Sequence, residues 1–284
     1  MKIIQAGAFT LFTKPVRAAI VFVTLLGAAC APLLAQARET VRVAAAHFPP
    51  YTVHPESGAD TGLLPDLLAA LNGAQDRFEF VLVPTSLPRR FQDLRQGRVD
   101  MAIFENPRWG WQDIPHTAVD MGLEDAEVFV GRRMEGRDDH YFANLNGKRL
   151  ALYSGYHYAF AGFDAEPDFL TGHYRATLTY SHDSNLLMVA RNRADIALVT
   201  RSYLTHFYDR YPELQDKLLV SERTDQVYHH YALLRPQAPV SAQELAGYLQ
   251  QLHASGEMAR LFAPYRIDVL PQAGGAAVID ATAK

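Results

Sequence analysis

The chain has 284 residues, 27 of them basic and 31 acidic, for a formal net charge of −4. This acidic balance excludes nucleic acid as an expected partner, because phosphate binding needs a basic stripe. The single cysteine, Cys30, excludes a disulfide framework.

In chain order, the first feature is a leader. Lys2, Lys14 and Arg17 form a positive n-region, residues 18–34 are rich in Ala, Val and Leu, and Ala35-Gln36-Ala37 is the small-x-small pattern of a cleavage site. The apolar run is about 17 residues, at the bottom of the range for a membrane span, and Pro32 interrupts it. Cleavage of residues 1–37 and export to the periplasm are expected. Cleavage would remove three positive charges and the only thiol, so no Cys nucleophile or thiolate metal site would remain. The alternative is a lipoprotein acylated at Cys30, since Leu26-Gly27-Ala28-Ala29-Cys30 loosely resembles a lipobox.

Behind the leader, strand and helix patterns alternate. Residues 41–45 read as a strand that runs into a turn-rich segment, 47–60. Leu63, Leu64, Leu67, Leu68 and Leu71 fall at helical spacing, with Asn72-Gly73 as a stop. Residues 78–83 are a strand, Phe91 and Leu94 with a Gly97 stop mark a helix, and 99–104 are a strand. The rhythm restarts with a strand at 148–153, a helix through 160, a strand at 177–180 and a helix at 185–192. A strand at 196–200 and a helix at 204–211 follow. Residues 127–131 and 228–234 read as strands that could connect two lobes. Residues 242–262 are an amphipathic helical stretch broken at Ser255-Gly256, and the Ala/Gly-rich tail from 272 is expected to be disordered. The order β-α-β-α-β, met twice, predicts an α/β protein with mostly parallel sheets and helices on their faces.

Several stretches together resemble the type II periplasmic solute-binding proteins, specifically the amino-acid-binding family of ABC transporters (family 3). They are Phe48-Pro49-Pro50-Tyr51 after the first strand, Thr61-Gly62-Leu63-Leu64-Pro65-Asp66-Leu67, and the Gly97-Arg98-Val99-Asp100 turn. Leu145-Asn146-Gly147-Lys148-Arg149-Leu150, the turn repeated across 190–198, and the terminal helix ending near Tyr265 complete the set. The resemblance implies two α/β lobes joined by two hinge strands. Lobe one would be 38–128 plus 231–271, and lobe two 129–230. A small ligand would bind at the strand ends between them, as in open α/β sheets generally.

The same resemblance nominates site residues. Tyr51, or else Phe48, would form an aromatic wall able to attract an ammonium group. Arg108 is the candidate clamp for a ligand carboxylate, because a guanidinium fork makes two parallel bonds. The spacing before it is shortened, however, and the family's Thr is absent. Glu105 would face the cleft, and Trp109 or Trp111 could form a wall. Ser154, Gly155 and Tyr156 would offer backbone N–H groups at a helix start, suited to an anion, although Ser154 could equally be a plain helix cap. Thr200 falls where amino-acid binders carry the Asp that meets the ligand ammonium. Either Glu105 or Asp183 takes over, or the ligand is not an ordinary α-amino acid; the default role of Asp183 is N-capping. The eleven histidines show no metal-ligand spacing, and no P-loop, dinucleotide or nucleophile-elbow motif is present, so neither a metal nor a cofactor is expected.

The implied function is non-enzymatic capture of a small polar solute, amino-acid-like or a carboxylate, for an inner-membrane ABC permease. The alternatives are a periplasmic dehydratase-like enzyme using Glu105, and a sensory or accessory solute-binding module.

Overall fold

The computed structural model describes residues 37–58, 61–271 and 277–280. The leader with Cys30, and residues 272–276 and 281–284 of the tail, lie outside the described residues.

Strand β1 (Glu39–Ala45) lies between β2 (Phe78–Pro84) and β3 (Met101–Glu105), parallel to both. Two long strands, β4 (Thr117–Arg132) and β8 (Leu218–Leu234), pair antiparallel with each other along most of their length. Strand β5 (Leu150–Tyr153) lies between β6 (Ala176–Thr179) and β7 (Ile196–Thr200), parallel to both. Because β3 pairs with β8 and β7 with β4, the two parallel triplets join into one sheet of order β2-β1-β3-β8-β4-β7-β5-β6. Strands β3 and β7 are buried at every residue. That is why they read as continuous apolar runs instead of alternating ones.

Five of the helices serve two cores. Helices α1 (Leu63–Ala74), α6 (Ala242–Ala254) and α7 (Glu257–Phe262) place Leu63, Leu67, Leu71, Leu245, Leu249 and Phe262 against β1 to β3. Each fully buried Leu contributes about 1.5–3 kcal/mol over an exposed one. Helices α4 (His182–Ala190) and α5 (Arg201–Arg210) pack Leu186, Val189 and Phe207 onto β7 and the far half of β4. Along β4 the first core ends at Leu123 and the second begins at Val128, and along β8 Leu218 belongs to the second and Tyr228 to the first lobe's cluster. The chain therefore crosses between lobes near 124–127 and 225–227.

The two lobes share one fastening device. Asp100 accepts from the backbone N–H and guanidinium of Arg42, at 2.8–2.9 Å, and Asp195 does the same for Arg149 at 2.7–3.1 Å. Each aspartate ends the turn that returns the chain to a strand, and the arginines mark their lobes' central strands, Arg42 midway along β1 and Arg149 immediately before β5. The aspartates of the repeated sequence motif are thus structural.

Four differences from the sequence reading have physical reasons. Residues 154–160 do not form an α-helix: Gly155 has φ +83°, and the N–H groups of Ala159 and Phe160 donate to the Asp225 carboxylate at 2.7 and 2.9 Å. Instead α3 (Pro167–Tyr174) forms, with Pro at its first turn. The remaining short helix of the first lobe, α2 (Arg90–Arg95), is where expected. Strands β4 and β8 run well beyond the predicted segments, because Asp120, Gly122, Glu124 and Asp125 interrupt the apolar pattern of β4. Finally, within the tail, β10 (Val278–Asp280) pairs antiparallel with Thr117–Val119 of β4, while the two-residue β9 (Asp268–Val269) pairs further along it. Its β-branched Val278 and Ile279 suit that edge.

Candidate functional site

A cavity of about 30 Å³ lies where the two lobes meet. First-lobe residues reach it from beyond the carboxyl ends of β1, β2 and β3, as Phe48, Leu87, Arg90, Glu105 and Trp109. Gly155, Tyr156 and His157 follow β5 in the second lobe. The crossing strands β4 and β8 contribute Glu127 and Gln226. Ligand sites of open α/β sheets lie at such strand ends. The lobes already touch here: the Phe48 ring meets the Tyr156 ring edge-on at 5.3 Å and that of Trp109 at 6.4 Å. Gln226 Nε2 donates to the His157 carbonyl at 2.6 Å. An open groove of about 560 Å³ adjoins the cavity, sharing Leu87 and Gly155 with it, and carries His47, His54, Arg89, Ser154 and Tyr180.

Glu105 is re-aimed by a bulge. The β3–β8 register shifts between Ala102 and Glu105, and Phe104 has φ +63°, which is uncommon for a bulky residue. The Glu105 carboxylate then accepts Arg90 Nε at 2.6 Å, Arg90 Nη2 at 3.3 Å and Trp111 Nε1 at 2.9 Å. The Arg90 Nη1 donates to the Leu87 carbonyl, and its guanidinium also stacks over Phe91 at 4.2 Å. This ion pair is closed on itself.

Glu127 is different. Thr200 Oγ1 donates to its Oε1 at 2.8 Å, and Oε2 is buried with no hydrogen-bond partner among the described residues. Burial pushes its pKa well above the usual carboxylate range, and the nearby Asp125 and Asp225 add to this, while the Thr200 bond works against it. Two residues along β4, Asp125 belongs to a separate buried chain. Tyr51 Oη donates to its Oδ2 at 2.7 Å, and His230 Nε2 lies 2.7 Å from the same phenol oxygen. With the phenol proton directed to Asp125, the neutral imidazole donates from Nε2. Burial raises Asp125 to about 6 despite its hydrogen bonds and the neighbouring Arg201, and burial lowers His230 to about 3.

Of the residues nominated from sequence, Glu105, Trp109, Gly155 and Tyr156 line the cavity. Ser154 lies in the adjoining groove. Tyr51 is fully buried in the first lobe's core, behind Phe48, against whose ring it packs at a tilt with centroids 4.8 Å apart. Arg108 is exposed and lies over the Phe163 ring at 4.2 Å. Asp183 accepts from Tyr203 Oη at 2.6 Å and pairs with Arg210, away from the cavity. Thr200 is held behind the cavity wall as the hydrogen-bond donor to Glu127. Because 154–160 is a turn followed by a short 3₁₀ segment, no α-helix N-terminus points at Ser154.

Arg90, Glu127 and Gln226 were not nominated. A carboxylate inside the apolar run Ala126-Glu127-Val128-Phe129-Val130 is the one signal that could have exposed Glu127, since buried carboxylates are rare without a purpose. Among the described residues no group of three or more His, Cys, Asp or Glu side chains could hold a metal ion. No helix among them is long and apolar enough to cross a membrane.

The family model for the periplasmic substrate-binding protein of a phosphonate ABC transporter matches residues 136–273. A search of curated proteins by sequence finds no match. Many solved structures are similar in fold, among them the following three. A histidine kinase sensor domain, itself described as similar to periplasmic binding proteins, is 17% identical over 80% of this chain and 96% of that one, with a TM-score of 0.61. The probable amino-acid ABC transporter extracellular-binding protein ytmK from Bacillus subtilis is 15% identical over 80% and 97%, with a TM-score of 0.60. The ancestral amino acid-binding protein AncCDT-1, a precursor of cyclohexadienyl dehydratase, is 16% identical over 80% and 94%, with a TM-score of 0.58. At these identities the likeness carries fold and not ligand: the chain has the two-lobed α/β fold of the periplasmic binding proteins.

Proposed function

We propose that this protein is an exported solute-binding component that captures a small polar solute between its lobes and delivers it to an inner-membrane ABC permease. The observation that carries this reading is the cavity at the lobe junction. It is walled by aromatic rings from both lobes and by Glu127, one of whose buried carboxylate oxygens has no partner among the described residues. Such a site, mostly apolar with a few placed polar groups, is the usual form of a small-ligand pocket. The segments 124–127 and 225–227 would be the hinge about which the two lobes close. The leader supports a periplasmic address. The family-model match and the amino-acid-binding neighbours support the ABC and amino-acid-like parts of the reading.

A second reading is a solute-reporting module for a separate membrane partner, favoured by the likeness to a sensor domain. A dehydratase-like role for Glu105 is disfavoured, because its carboxylate is committed to Arg90 and Trp111. A thermal-shift screen of the purified protein against amino acids, polyamines, opines and small carboxylates tests the solute-binding reading. A ligand at ~100 times its Kd adds about 2.7 kcal/mol of stability, and silence across the panel rejects it.

A further inference from the structure

Electrostatic complementarity narrows the solute, given the solute-binding reading above. The side chains on the cavity wall able to carry charge are Arg90, Glu105, Glu127 and His157, the Tyr156 phenol being held neutral by burial. Arg90 and Glu105 cancel each other, and Arg90 is further tied to the Leu87 carbonyl and stacked on Phe91. No second guanidinium among the described residues reaches the cavity, since Arg108 lies on Phe163. A ligand carboxylate would therefore meet no free cation there, and would face Glu127. Burial favours the neutral imidazole of His157, whose Nδ1 lies 2.8 Å from the Phe163 carbonyl. What the wall does offer is Glu127, a residue only 3% exposed whose Oε2 has no hydrogen-bond partner among the described residues, beside the rings of Phe48, Trp109 and Tyr156. Buried carboxylate oxygens are costly unless something donates to them.

We infer that the cleft takes a small organic cation, an amine that lacks a free carboxylate, and that Glu127 is the residue that receives its ammonium group. The cavity has room for an ammonium head and little more, and the body of the ligand leaves past Leu87 and Gly155 into the adjoining groove. The aromatic walls add cation–π attraction. Thr200, in this arrangement, orients the carboxylate through Oε1 and leaves Oε2 for the ligand.

This assignment couples binding to a proton. The groups facing Glu127 are Asp125 on its own strand, Asp225 and Tyr228 on β8, Tyr51 after β1, Tyr156 and Tyr158 after β5, and the Arg90–Glu105 pair across the cavity. The carboxylates and burial favour the protonated acid in the ligand-free protein, so an ammonium must displace that proton. Affinity for an amine therefore rises with pH, up to ~tenfold per unit while Glu127 is protonated in the free protein.

Isothermal titration of the protein with ethylamine, putrescine and agmatine, beside glycine, glutamate and succinate, over pH 5.5–8.5 tests the inference. The expected result is binding of at least one amine with release of a proton, a Kd that tightens with pH, and a Glu127→Gln variant with the wild-type circular dichroism. In that variant the Kd rises by ~30-fold or more and its steep pH dependence disappears. Binding of glutamate or succinate with none of the amines overturns the cation assignment and leaves solute binding standing. An amine whose Kd is indifferent both to pH and to Glu127→Gln overturns the role of Glu127. No binding by any of the six, together with silence in the wider thermal screen, overturns both.

Discussion

Arg90 and Glu105 face each other inside the cleft as a buried ion pair, with Nε 2.6 Å from Oε1 and the side chains 4% and 10% exposed. The guanidinium is flanked by Phe91 and Trp111, and Trp111 also donates to the carboxylate. Breaking such a pair leaves an uncompensated buried charge, whereas replacing both partners with apolar groups is often neutral. Glu105→Gln should therefore cost about 3–5 kcal/mol, a fall in Tm of roughly 2–4 °C per kcal/mol for a domain of this size. The double variant Arg90→Met/Glu105→Leu should recover most of the loss. Thermal melts of the three proteins decide the matter, and a single variant as stable as wild type would show that the pair is solvated in solution.

Asp125 makes stability depend on pH in a direction opposite to most carboxylates. Its ordinary value is 3.8 and burial raises it to about 6 in the folded protein. The folded state thus binds the proton more tightly. The stabilisation is complete below the unfolded value and is lost as pH rises through about 6, a loss of about 3 kcal/mol at 1.36 kcal/mol per unit. His230 and His182, each lowered by burial to about 3, act the other way: their contribution is present above 6.5 and is lost as pH falls toward 3. The histidines are common to wild type and Asp125→Asn and cancel in the difference, which reports Asp125 together with its influence on Glu127. Urea denaturation from pH 4 to 8 should show Asp125→Asn gaining on wild type by about 3 kcal/mol across that range. A flat difference would mean that Asp125 titrates as an ordinary carboxylate.

These two predictions also show where the sequence was legible. The strands and helices were readable because Leu63, Leu67 and Leu71 repeat at the helical period and because residues 196–199 are an unbroken apolar run in an all-buried strand. Residues 154–160 were not readable, since the groups that capture their backbone N–H bonds come from Asp225, more than sixty residues away. The same limit applied to the site. Glu105, Trp109, Gly155 and Tyr156 stand at strand ends that the alternation of elements could locate. Whether Arg90 or Arg108 turns inward depends on a partner supplied by another strand. Glu127 reaches the cavity through the register that sets it opposite Thr200, and cross-strand register is not written in either strand alone.

Two glycines of one helix should respond in opposite ways to alanine. Gly62, at the N-terminus of α1, has φ +107°, and a Cβ there would lie 2.7 Å from the Tyr51 carbonyl oxygen and 3.0 Å from that of Pro50. Those carbonyls accept the N–H groups of Leu64 and Leu63, so the clash falls on the helix start and on the loop that carries Phe48. Gly62→Ala should cost about 3 kcal/mol or more, combining backbone strain with the clash. Gly73 lies in the last turn of the same helix, and a methyl group added to its Cα would have nothing within 4 Å. Gly73→Ala should gain about 0.5–1 kcal/mol from helix propensity. Denaturant midpoints of both variants check the pair. Equal effects would mean that neither backbone conformation is enforced.

Gln226 is placed to hold the lobes together. It lies in the crossing segment of β8, its Nε2 donates to the His157 carbonyl of the second lobe at 2.6 Å, and its Oε1 accepts Trp109 Nε1 of the first lobe at 3.4 Å. Gln226→Ala removes both bonds, at roughly 0.5–1.5 kcal/mol each, and at least one of them must break when the lobes they join separate. The closed form should therefore lose about 1–2 kcal/mol relative to an open one, about a five- to thirtyfold change in their ratio. Spin labels at Ala69→Cys and Asp168→Cys, exposed positions on α1 and α3, report the separation of the lobes once Cys30 is replaced by Ser. The distance distribution in Gln226→Ala should move to longer values than in the otherwise identical protein with Gln226. Coincident distributions would show that closure is held by the contact of Phe48, Trp109 and Tyr156, with Gln226 following the lobes instead of fastening them.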